Sequence, residues 1–405
     1  MRPGFLVIVL LAVGARGDIV LVGGNGGIKE LQSAIDRAKS GDTLRVAAGL
    51  YTARSHAFEE EVCGNCETHK THVRASYGFV IKDKSLHIYG VGTDSTTLVT
   101  NAGYGVMFVN SPNSTIAKVK ITGGKRDIDG KATDAAIVAR NARLTITDCL
   151  IADNTDRPES LAVGIGGIFG REGAELIITG NRLFNNGWDG IALYRGASAI
   201  ICDNEINGGR GAGIGITWDA VCVAYRNVVT NYWKGIGAFG ASRAVISNNL
   251  VKDNLGWGII VTGTAYLDAT NNVVTKNGNC GLAIWSEEST GRFANNIVTD
   301  NGWREEWVCP PVGFWNYGYT NNFTISHNNV FNNKAGQYRD MPDYTERFGN
   351  ISIDPMFAGE DDYQLKPESP CIDTGDSEIT DNDGSRSDIG LYGGPRAASG
   401  PRDSR

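Results

Sequence analysis

A short unit repeats along residues 174–301 with a nearly fixed period. Each unit contains a leading asparagine, a short apolar run, a turn rich in Gly or Asn, and further apolar runs, as in NNVVTKNGNCGLAIW. Aligned on Asn181, Asn204, Asn227, Asn249, Asn272 and Asn296, successive units are 22 to 24 residues apart. A fixed period in this range is typical of solenoids. Three short strands per period, separated by Gly and Asn turns, predict one coil of a parallel β-helix.

The repeated asparagines have a structural role in such a coil. Equivalent residues of stacked coils lie about 4.8 Å apart, the spacing of neighbouring strands. Asn tolerates the left-handed backbone conformation of a tight bend, and its side-chain amide can bond to the Asn of the next coil. We therefore expect an internal asparagine ladder, with Cys149 as a small buried residue at a ladder position.

Taken together, the units over roughly residues 85–333 resemble the right-handed parallel β-helix repeats of the pectate-lyase-like superfamily. The resemblance implies the fold, and it favours a polysaccharide as the ligand. It does not imply one reaction, because the superfamily includes lyases, hydrolases, epimerases, esterases and non-catalytic binding proteins. The Gly-His-Gly pattern of polygalacturonases and the Asp-Pro-His-Glu/Asp motif of alginate epimerases are missing from the sequence. No functional residue is therefore carried over.

The order of segments predicts one elongated domain that is exported. Residues 1–17 combine Arg2, an apolar run and small residues, which is the pattern of a cleaved secretory signal peptide. We expect residues 18–333 to form the β-helix, with a capping helix near residues 28–40, and residues 334–405 to form an irregular C-terminal cap. A secreted or periplasmic monomer without a membrane span is expected. The net charge of −7 argues against nucleic acid as the main partner.

Four insertions interrupt the pattern, at residues 54–77, 124–133, 155–163 and 302–322, and insertions in solenoids often build one binding face. The first insertion contains evenly spaced side chains that suit zinc, Cys63, Cys66, His69 and His72. The alternative is that its two cysteines form a disulfide or stay free. Calcium at the acidic residues 373–388 is a weaker alternative to a solvated turn. No cofactor is required by the sequence.

The positions of four further cysteines in successive coils indicate which of them can form a pair. Cys280 lies in a turn, and Cys309 lies in the expanded turn of the next coil, so these two side chains can meet. Cys202 and Cys222 lie in successive coils but out of register, so we do not expect them to pair.

The strand after each Gly-rich turn carries the candidate site. Strand alternation predicts an outward row of Arg140, Arg171, Tyr194, Thr217, Phe239, Thr262 and Trp285. A second outward row contains small residues, Ala192, Gly215, Gly237, Ile260 and Ala283. The adjoining turns contribute Trp188, Asp189, Arg195, Arg210, Trp218, Asp219, Trp233, Lys234, Trp257 and Glu287. Aromatic faces among cations and carboxylates suit an acidic sugar chain.

These residues predict an enzyme that cleaves a uronate-containing polysaccharide by β-elimination. Lys234 is the candidate base, because nearby cations and partial burial lower a lysine pKa. Arg210 and Arg171 would neutralise the uronate carboxylate, Tyr194 would transfer a proton, and Asp189 would lie in the same cluster. Glycoside hydrolysis is the alternative, with Asp189 and Asp219, or Asp219 and Glu287, as the two carboxylates.

A non-catalytic function is the third alternative, in the form of a carbohydrate-binding or structural β-helix, or a periplasmic maturation factor similar to copper-site β-helix proteins. An enzyme requires the polar residues to converge on one point, whereas a binding protein requires only the aromatic strip.

Overall fold

The computed structural model describes residues 17–61 and 72–398. Within these residues the chain winds as a coil, and each turn of the coil places one strand in each of three long sheets. The elements in chain order are β1 (Ile19–Val22), α1 (Leu31–Arg37), β2 (Thr43–Val46), β3 (Gly49–Thr52), β4 (His56–Glu60), β5 (Val73–Lys82), β6 (His87–Gly90), β7 (Thr96–Val99), β8 (Tyr104–Val109), β9 (Ser114–Ala117), β10 (Lys120–Thr122), β11 (Ala135–Arg140), β12 (Arg143–Thr147), β13 (Leu150–Ala152), β14 (Gly166–Arg171), β15 (Glu175–Thr179), β16 (Arg182–Phe184), β17 (Ile191–Leu193), β18 (Ser198–Cys202), β19 (Glu205–Asn207), β20 (Ala212–Ile216), β21 (Val221–Tyr225), β22 (Val228–Thr230), β23 (Lys234–Ala238), β24 (Arg243–Ser247), β25 (Leu250–Lys252), β26 (Trp257–Val261), β27 (Tyr266–Thr270), β28 (Val273–Thr275), β29 (Leu282–Ile284), β30 (Thr290–Ala294), β31 (Ile297–Thr299), β32 (Phe314–Asn316), β33 (Phe323–Ser326), β34 (Asn329–Phe331) and β35 (Tyr338–Arg339).

The three sheets run side by side along the coil. Sheet A has the order β1-β2-β6-β9-β12-β15-β18-β21-β24-β27-β30-β33, and sheet B has the order β3-β7-β10-β13-β16-β19-β22-β25-β28-β31-β34. Sheet C has the order β4-β5-β8-β11-β14-β17-β20-β23-β26-β29-β32-β35. Neighbouring strands are parallel except β4 and β5, which are antiparallel. This arrangement confirms the parallel β-helix predicted from the repeat.

The interior of the coil is apolar and continuous. Inward residues of all three sheets, such as Ile178, Leu183 and Ile191, belong to one buried cluster. Burying such side chains is the main favourable contribution to the stability of the fold. The shared cluster explains why no coil folds independently of its neighbours.

The predicted asparagine ladder is present and extends beyond the regular repeats. Each side-chain amide donates to the side-chain oxygen of the next ladder residue at 2.9–3.0 Å, from Asn181 through Asn328 to Asn350. Cys149 occupies the position before Asn181, and its backbone N–H donates to the Asn181 side chain at 3.0 Å. Its thiol is buried, as expected.

Two features of the turns differ from the sequence interpretation. The left-handed conformation belongs to the residue before the ladder asparagine, for example Asn248 with φ of 54°, so the bend and the ladder use different residues. A second ladder joins Asn254, Asn277, Asn301 and Asn333 at 2.9 Å. The sequence interpretation did not identify this second ladder.

Replacing one ladder residue tests its contribution to stability. Asn249 is fully buried, and Asn249→Ala removes the side-chain acceptor of the Asn227 backbone N–H and the side-chain donor to the Ala224 carbonyl. We expect the free energy of unfolding to fall by about 1–3 kcal/mol, the cost of leaving a buried polar group unsatisfied. Thermal and urea unfolding measure this change. Asn113→Ala is the control, because Asn113 is exposed; an equal loss in both variants would contradict a specific role for the ladder.

The two ends of the coil are covered in different ways. Helix α1 packs Leu31, Ala34 and Ile35 over the first coil. It is shorter than the predicted helix because the backbone is extended at Glu30, just before the helix, and at Ala38, just after it. Residues 351–398 follow the last coil in sequence and lie along the outer face of sheet B. There they pack several apolar side chains against Val273 and Ile297.

The first insertion, 54–77, differs from the prediction of a loop. Strands β4 and β5 flank its centre and extend sheet C at the N-terminal end. Three of the four proposed zinc ligands, Cys63, Cys66 and His69, lie outside the described residues, and His72 is exposed. In the described part of the chain, no three His, Cys, Asp or Glu side chains are grouped to hold a metal ion. None of the helices in that part is long and apolar enough to cross a membrane.

Candidate functional site

The candidate site lies on the outer face of sheet C. Strand register places the small residues Ala192, Gly215, Gly237, Ile260 and Ala283 in one row, as the alternation pattern predicts. Between them, inward residues such as Leu193 and Ile216 join the core. The outer face is therefore a shallow floor with larger side chains along both sides.

Two apolar clusters cover the ends of this floor and leave its middle polar. The first cluster includes Tyr104, Phe169 and Tyr194, and the second includes Trp257 and Trp315. Between them lie Ala212, Gly215 and Gly237, whose small size lets the Asp189 carboxylate approach Gly215 and the Phe239 ring pack on Gly237. We call this middle region, from β17 to β23, the central groove.

Three of the four predicted catalytic residues meet in the central groove. Asp189 lies in the turn before β17, and Tyr194 follows the same strand directly. Lys234 begins β23 and is paired in register with Ala212, whose backbone N–H donates to Asp189 Oδ1 at 2.6 Å. The Tyr194 hydroxyl donates to the Asp189 carboxylate, and the Lys234 ammonium interacts with it electrostatically.

The fold brings this carboxylate close to the backbone of the next coil. A Cβ atom at Gly211 would collide with Asp189 Oδ1, so a larger residue here would displace the carboxylate from its present position. The close approach aligns the Ala212 N–H with the carboxylate and fixes its orientation. A backbone hydrogen bond therefore helps to orient Asp189, beside its interactions with Tyr194 and Lys234.

The pKa values of Asp189 and Lys234 are both shifted toward neutral pH. Burial raises the pKa of Asp189 to about 6, although the Ala212 N–H, the Lys234 charge and the Tyr194 hydroxyl oppose the shift. Burial lowers the pKa of Lys234, and the Asp189 carboxylate opposes that shift. Groups tuned in this way by burial and a specific partner are typical of acid–base sites.

Aromatic rings surround the Lys234 ammonium. Its Nζ lies 5.5 Å from the ring centroid of Trp233, 5.6 Å from that of Trp257 and 5.8 Å from that of Phe239. Trp307, from the 302–322 insertion, stacks on Trp233 with centroids 4.6 Å apart. The rings exclude water on one side of the amine, which explains its lowered pKa.

The opposite side of the central groove presents a second cation. The Arg195 guanidinium lies 4.2 Å from the ring centroid of Trp218. Asp219 is exposed, and its Oδ1 accepts from the Gly196 N–H at 2.8 Å. Trp188 packs against the first apolar cluster and lines a small cavity together with Tyr194.

The remaining predicted residues lie farther along the face. Arg210 is exposed in the turn before β20, one coil from Lys234. Trp285 packs edge-on against Trp257 and Trp315, with centroids 5.7 and 5.2 Å apart. Glu287 is exposed, and its backbone carbonyl accepts from Asn322 at 3.0 Å.

Arg171 and Arg140 differ from their predicted role. The Arg171 side chain is 0% exposed, and its Nη1 lies 3.0 Å from Glu60 Oε2 and 3.1 Å from the Tyr104 hydroxyl. Arg140 Nη1 lies 3.1 Å from Glu60 Oε1, and both arginines also contact Glu172. Two carboxylates therefore neutralise the two cations, and Arg171 has no surface to offer a substrate. This correction applies to both the proposed catalytic and the proposed binding role of Arg171.

Sequence reasoning missed the residues that come from insertions. Glu60 lies in the acidic run 59–61, and Trp307, Trp315 and Tyr317 lie in the 302–322 insertion. Tyr317 stacks near Trp285 with centroids 5.1 Å apart and is half exposed. The available signal was composition, since aromatic residues are dense in this insertion. Which coil each ring packs against, and which way it faces, depends on how the loop folds.

Comparisons with known proteins agree with this architecture. A family model described as "Right handed beta helix region" matches residues 166–330. The chain is a right-handed parallel β-helix repeat protein with the pectate-lyase-like fold. A second model, "Periplasmic copper-binding protein (NosD)", matches residues 35–221. No curated protein sequence matches the chain.

Solved structures match this β-helix over most of its length but at low identity. Pectate lyase Pel9A is 13% identical with a TM-score of 0.54, over 94% of this chain and 97% of that chain. XylC in complex with xylose is 10% identical with a TM-score of 0.50, over 84% and 87% of the two chains. A mutant of the periplasmic alginate epimerase AlgG is 14% identical with a TM-score of 0.48, over 77% and 72%. At these identities the likeness concerns the fold alone.

Proposed function

We propose that the protein is an exported carbohydrate-active enzyme that cleaves an acidic, uronate-containing polysaccharide by β-elimination in the central groove. The observation that carries the proposal is the cluster of Asp189, Tyr194 and Lys234, in which burial lowers the pKa of the amine. Abstraction of a carbon-bound proton requires a neutral amine, and a lowered pKa increases the neutral fraction of Lys234 at a given pH.

The residues have complementary roles in this reaction. Neutral Lys234 removes the proton from the carbon next to the uronate carboxylate, and the freed electron pair forms a carbon–carbon double bond as the glycosidic bond breaks. The Tyr194 hydroxyl, which donates to Asp189 before reaction, gives a proton to the leaving oxygen. Arg195 and the exposed Arg210 replace Arg171 as the cations that neutralise the substrate carboxylate.

The flanking side chains support a sugar chain as the ligand. Trp218, Trp233 and Trp285 are partly exposed on the outer face of sheet C, and flat aromatic faces stack on sugar rings. Asp189 holds Lys234 and Tyr194 in one network, so its carboxylate is a positioning and charge-balancing group. The partial match to the periplasmic NosD model supports export, together with the signal-peptide pattern of residues 1–17.

Glycoside hydrolysis is the second candidate, favoured by one specific observation. A carboxyl pKa raised to about 6 is what a general acid in a glycosidase needs, and burial raises the pKa of Asp189 to about 6. The second carboxylate would be Asp219, which is exposed near Arg195. Elimination is favoured because the charged side chain that interacts with Asp189 is an amine whose pKa is lowered by burial.

The test is incubation of the purified protein with a panel of uronate polysaccharides, with and without calcium. Elimination creates an unsaturated uronate that absorbs ultraviolet light, so we expect absorbance to rise on at least one substrate. New reducing ends without this absorbance would transfer the proposal to hydrolysis by Asp189 and Asp219. Binding without either signal would indicate a non-catalytic carbohydrate-binding protein.

Replacing Asp189 is expected to shift the pH dependence of kcat/KM in a defined direction. Its carboxylate raises the pKa of Lys234, so Asp189→Asn removes that support and the pKa of Lys234 falls further. Because the base must be neutral, we expect the rising limb of kcat/KM against pH to move to lower pH. Asp219→Asn, at an exposed carboxylate, is the control and leaves the limb in place. An unchanged limb in Asp189→Asn would separate Asp189 from Lys234.

A further inference from the structure

Two buried cysteines meet where the 302–322 insertion joins the body of the β-helix. The Sγ atoms of Cys280 and Cys309 lie 2.9 Å apart, and the Cys280 N–H donates to Cys309 Sγ at 3.3 Å. The two residues are 0% and 3% exposed. We propose that Cys280 and Cys309 form a disulfide that fixes the aromatic wall around Lys234. The functional part of this inference rests on the proposed function of the central groove.

The pair packs in the same buried cluster as Trp257, one of the rings near Lys234. Register pairs Lys234 with Trp257, and the Gly258 N–H donates to the Cys280 carbonyl in the following coil at 3.1 Å. Trp257, Cys280 and Cys309 belong to one buried cluster. A covalent bond at this point would fix the buried cluster in which Trp257 packs.

The same bond anchors a second ring. Trp307 lies two residues before Cys309, is 52% exposed and stacks on Trp233, the other indole beside Lys234. The insertion also contacts the previous coil through the Trp303 indole N–H, which donates to the Lys276 carbonyl at 2.8 Å. The disulfide adds a covalent link close to Trp307 itself. Both indoles that exclude water from Lys234 therefore depend on this anchor.

The chemistry is thiol–disulfide exchange with a disulfide oxidant, the class of reagent that an exported chain meets. One cysteine thiolate attacks the oxidant, forms a mixed disulfide and displaces one thiol. The second cysteine then attacks the mixed disulfide and releases the second thiol. Two protein thiols are oxidised, one disulfide of the oxidant is reduced to two thiols, and the two protons pass to those products.

Burial of the two thiols determines when during folding the disulfide can form. In the folded chain, burial and the neighbouring Cys309 raise the pKa of the Cys280 thiol, so little thiolate is present. Exchange is therefore fastest before the insertion packs against Trp257. The bond, once formed, is shielded from reducing agents by the same packing.

Peptide mapping of the full-length protein tests the bond without reference to activity. Protein isolated from an oxidising compartment is unfolded in N-ethylmaleimide without reductant and digested with trypsin. Cleavage after Lys276, Arg292, Arg304 and Lys334 gives peptides 277–292 and 305–334, each with one cysteine. We expect these two peptides as one linked species that separates on reduction. Two separately alkylated peptides would overturn the proposal.

Two other cysteines provide an internal control. Cys202 and Cys222 lie in successive coils, but register pairs them with Tyr225 and Ala199, so their thiols are not partners. Peptides 196–210 and 211–226, which contain these cysteines, should both be alkylated. Linkage of this pair as well would show that mapping reports scrambled disulfides.

The effect on the groove is measured by quenching of tryptophan fluorescence with acrylamide. We expect quenching to increase in Cys280→Ser and in the reduced wild-type protein, because Trp307 and Trp233 become more accessible. Cys222→Ser is the matched control for a buried thiol and should leave quenching unchanged. Linked peptides with unchanged quenching in Cys280→Ser would overturn the anchoring role. Linked peptides in a protein without lyase activity would leave the disulfide intact and remove only its link to catalysis.

Discussion

Lys234→Met is expected to reduce kcat by about 10³-fold, the contribution typical of a positioned general base. Methionine has a similar length and apolar character, so the enclosure by Trp233, Trp257 and Phe239 is retained while the proton acceptor is lost. The loss corresponds to about 4 kcal/mol of transition-state stabilisation. Steady-state kinetics on the responsive polysaccharide measure it, with KM expected to change less than kcat.

Lys252→Met is the matched control for this variant. Lys252 is also partly buried, and its Nζ also lies near an aromatic ring, 5.6 Å from the Tyr363 centroid. It lies on sheet B, where it pairs with Asp361 at 2.7 Å, away from the central groove. We expect its kcat to equal that of the wild type. Equal kcat values in both variants would remove Lys234 from the mechanism.

Arg171→Ala is expected to lower the free energy of unfolding by about 3–5 kcal/mol, the cost of breaking a buried ion pair by removing one partner. The Glu60 side chain is fully buried, and among the described residues it would retain Arg140 and the Tyr104 hydroxyl as side-chain partners. Because Glu60 ends β4, the N-terminal edge of sheet C should loosen first. Thermal unfolding and hydrogen exchange of residues 56–60 measure the two effects.

Arg143→Ala provides the comparison for a surface pair. Arg143 Nη2 lies 2.8 Å from Glu175, but both side chains are more than half exposed. Such pairs contribute about 0–1 kcal/mol, so we expect little change in the melting temperature. If Arg171→Ala is too unstable to purify, Arg171→Lys keeps the charge and should show an intermediate loss. A stable Arg171→Ala with reduced kcat/KM would instead support its original role in substrate binding.

The fold was accessible from the sequence because a solenoid repeats its local rules. The 22–24-residue period specifies the length of a coil, and alternation within each strand identifies the inward residues. The same rules placed Ala192 beside Gly215 and Gly237 correctly. They did not separate the left-handed residue Asn248 from the ladder residue Asn249, because both are asparagine and only the backbone angles distinguish them.

The candidate site was accessible only where it lies on the repeat. Asp189, Tyr194 and Lys234 belong to regular coils, so register brings them together. The partners of Arg171 come from different parts of the chain: Glu60 is 111 residues away in sequence, and Tyr104 is 67 residues away. No periodicity relates such positions, and their pairing depends on how an insertion folds over the sheet.

The difference between regular coils and insertions also determines where the central groove lies. Insertions cover both ends of the outer face of sheet C with apolar side chains, and the coils from β17 to β23 retain small residues there. Partly buried polar groups remain in the gap, and their pKa values move toward neutrality. A regular scaffold thus supplies the position of the site, while irregular insertions supply its walls.

The most direct test of elimination is the mass of the products formed in water enriched in heavy oxygen. Hydrolysis adds one water for each bond cleaved and places the solvent oxygen on the new reducing end, whereas elimination adds no water and leaves a non-reducing end that lacks one water. We predict that the purified protein gives unlabelled, unsaturated ends from a uronate polysaccharide and that Lys234→Met gives almost none. Labelled, saturated ends would contradict β-elimination and assign the central groove to hydrolysis.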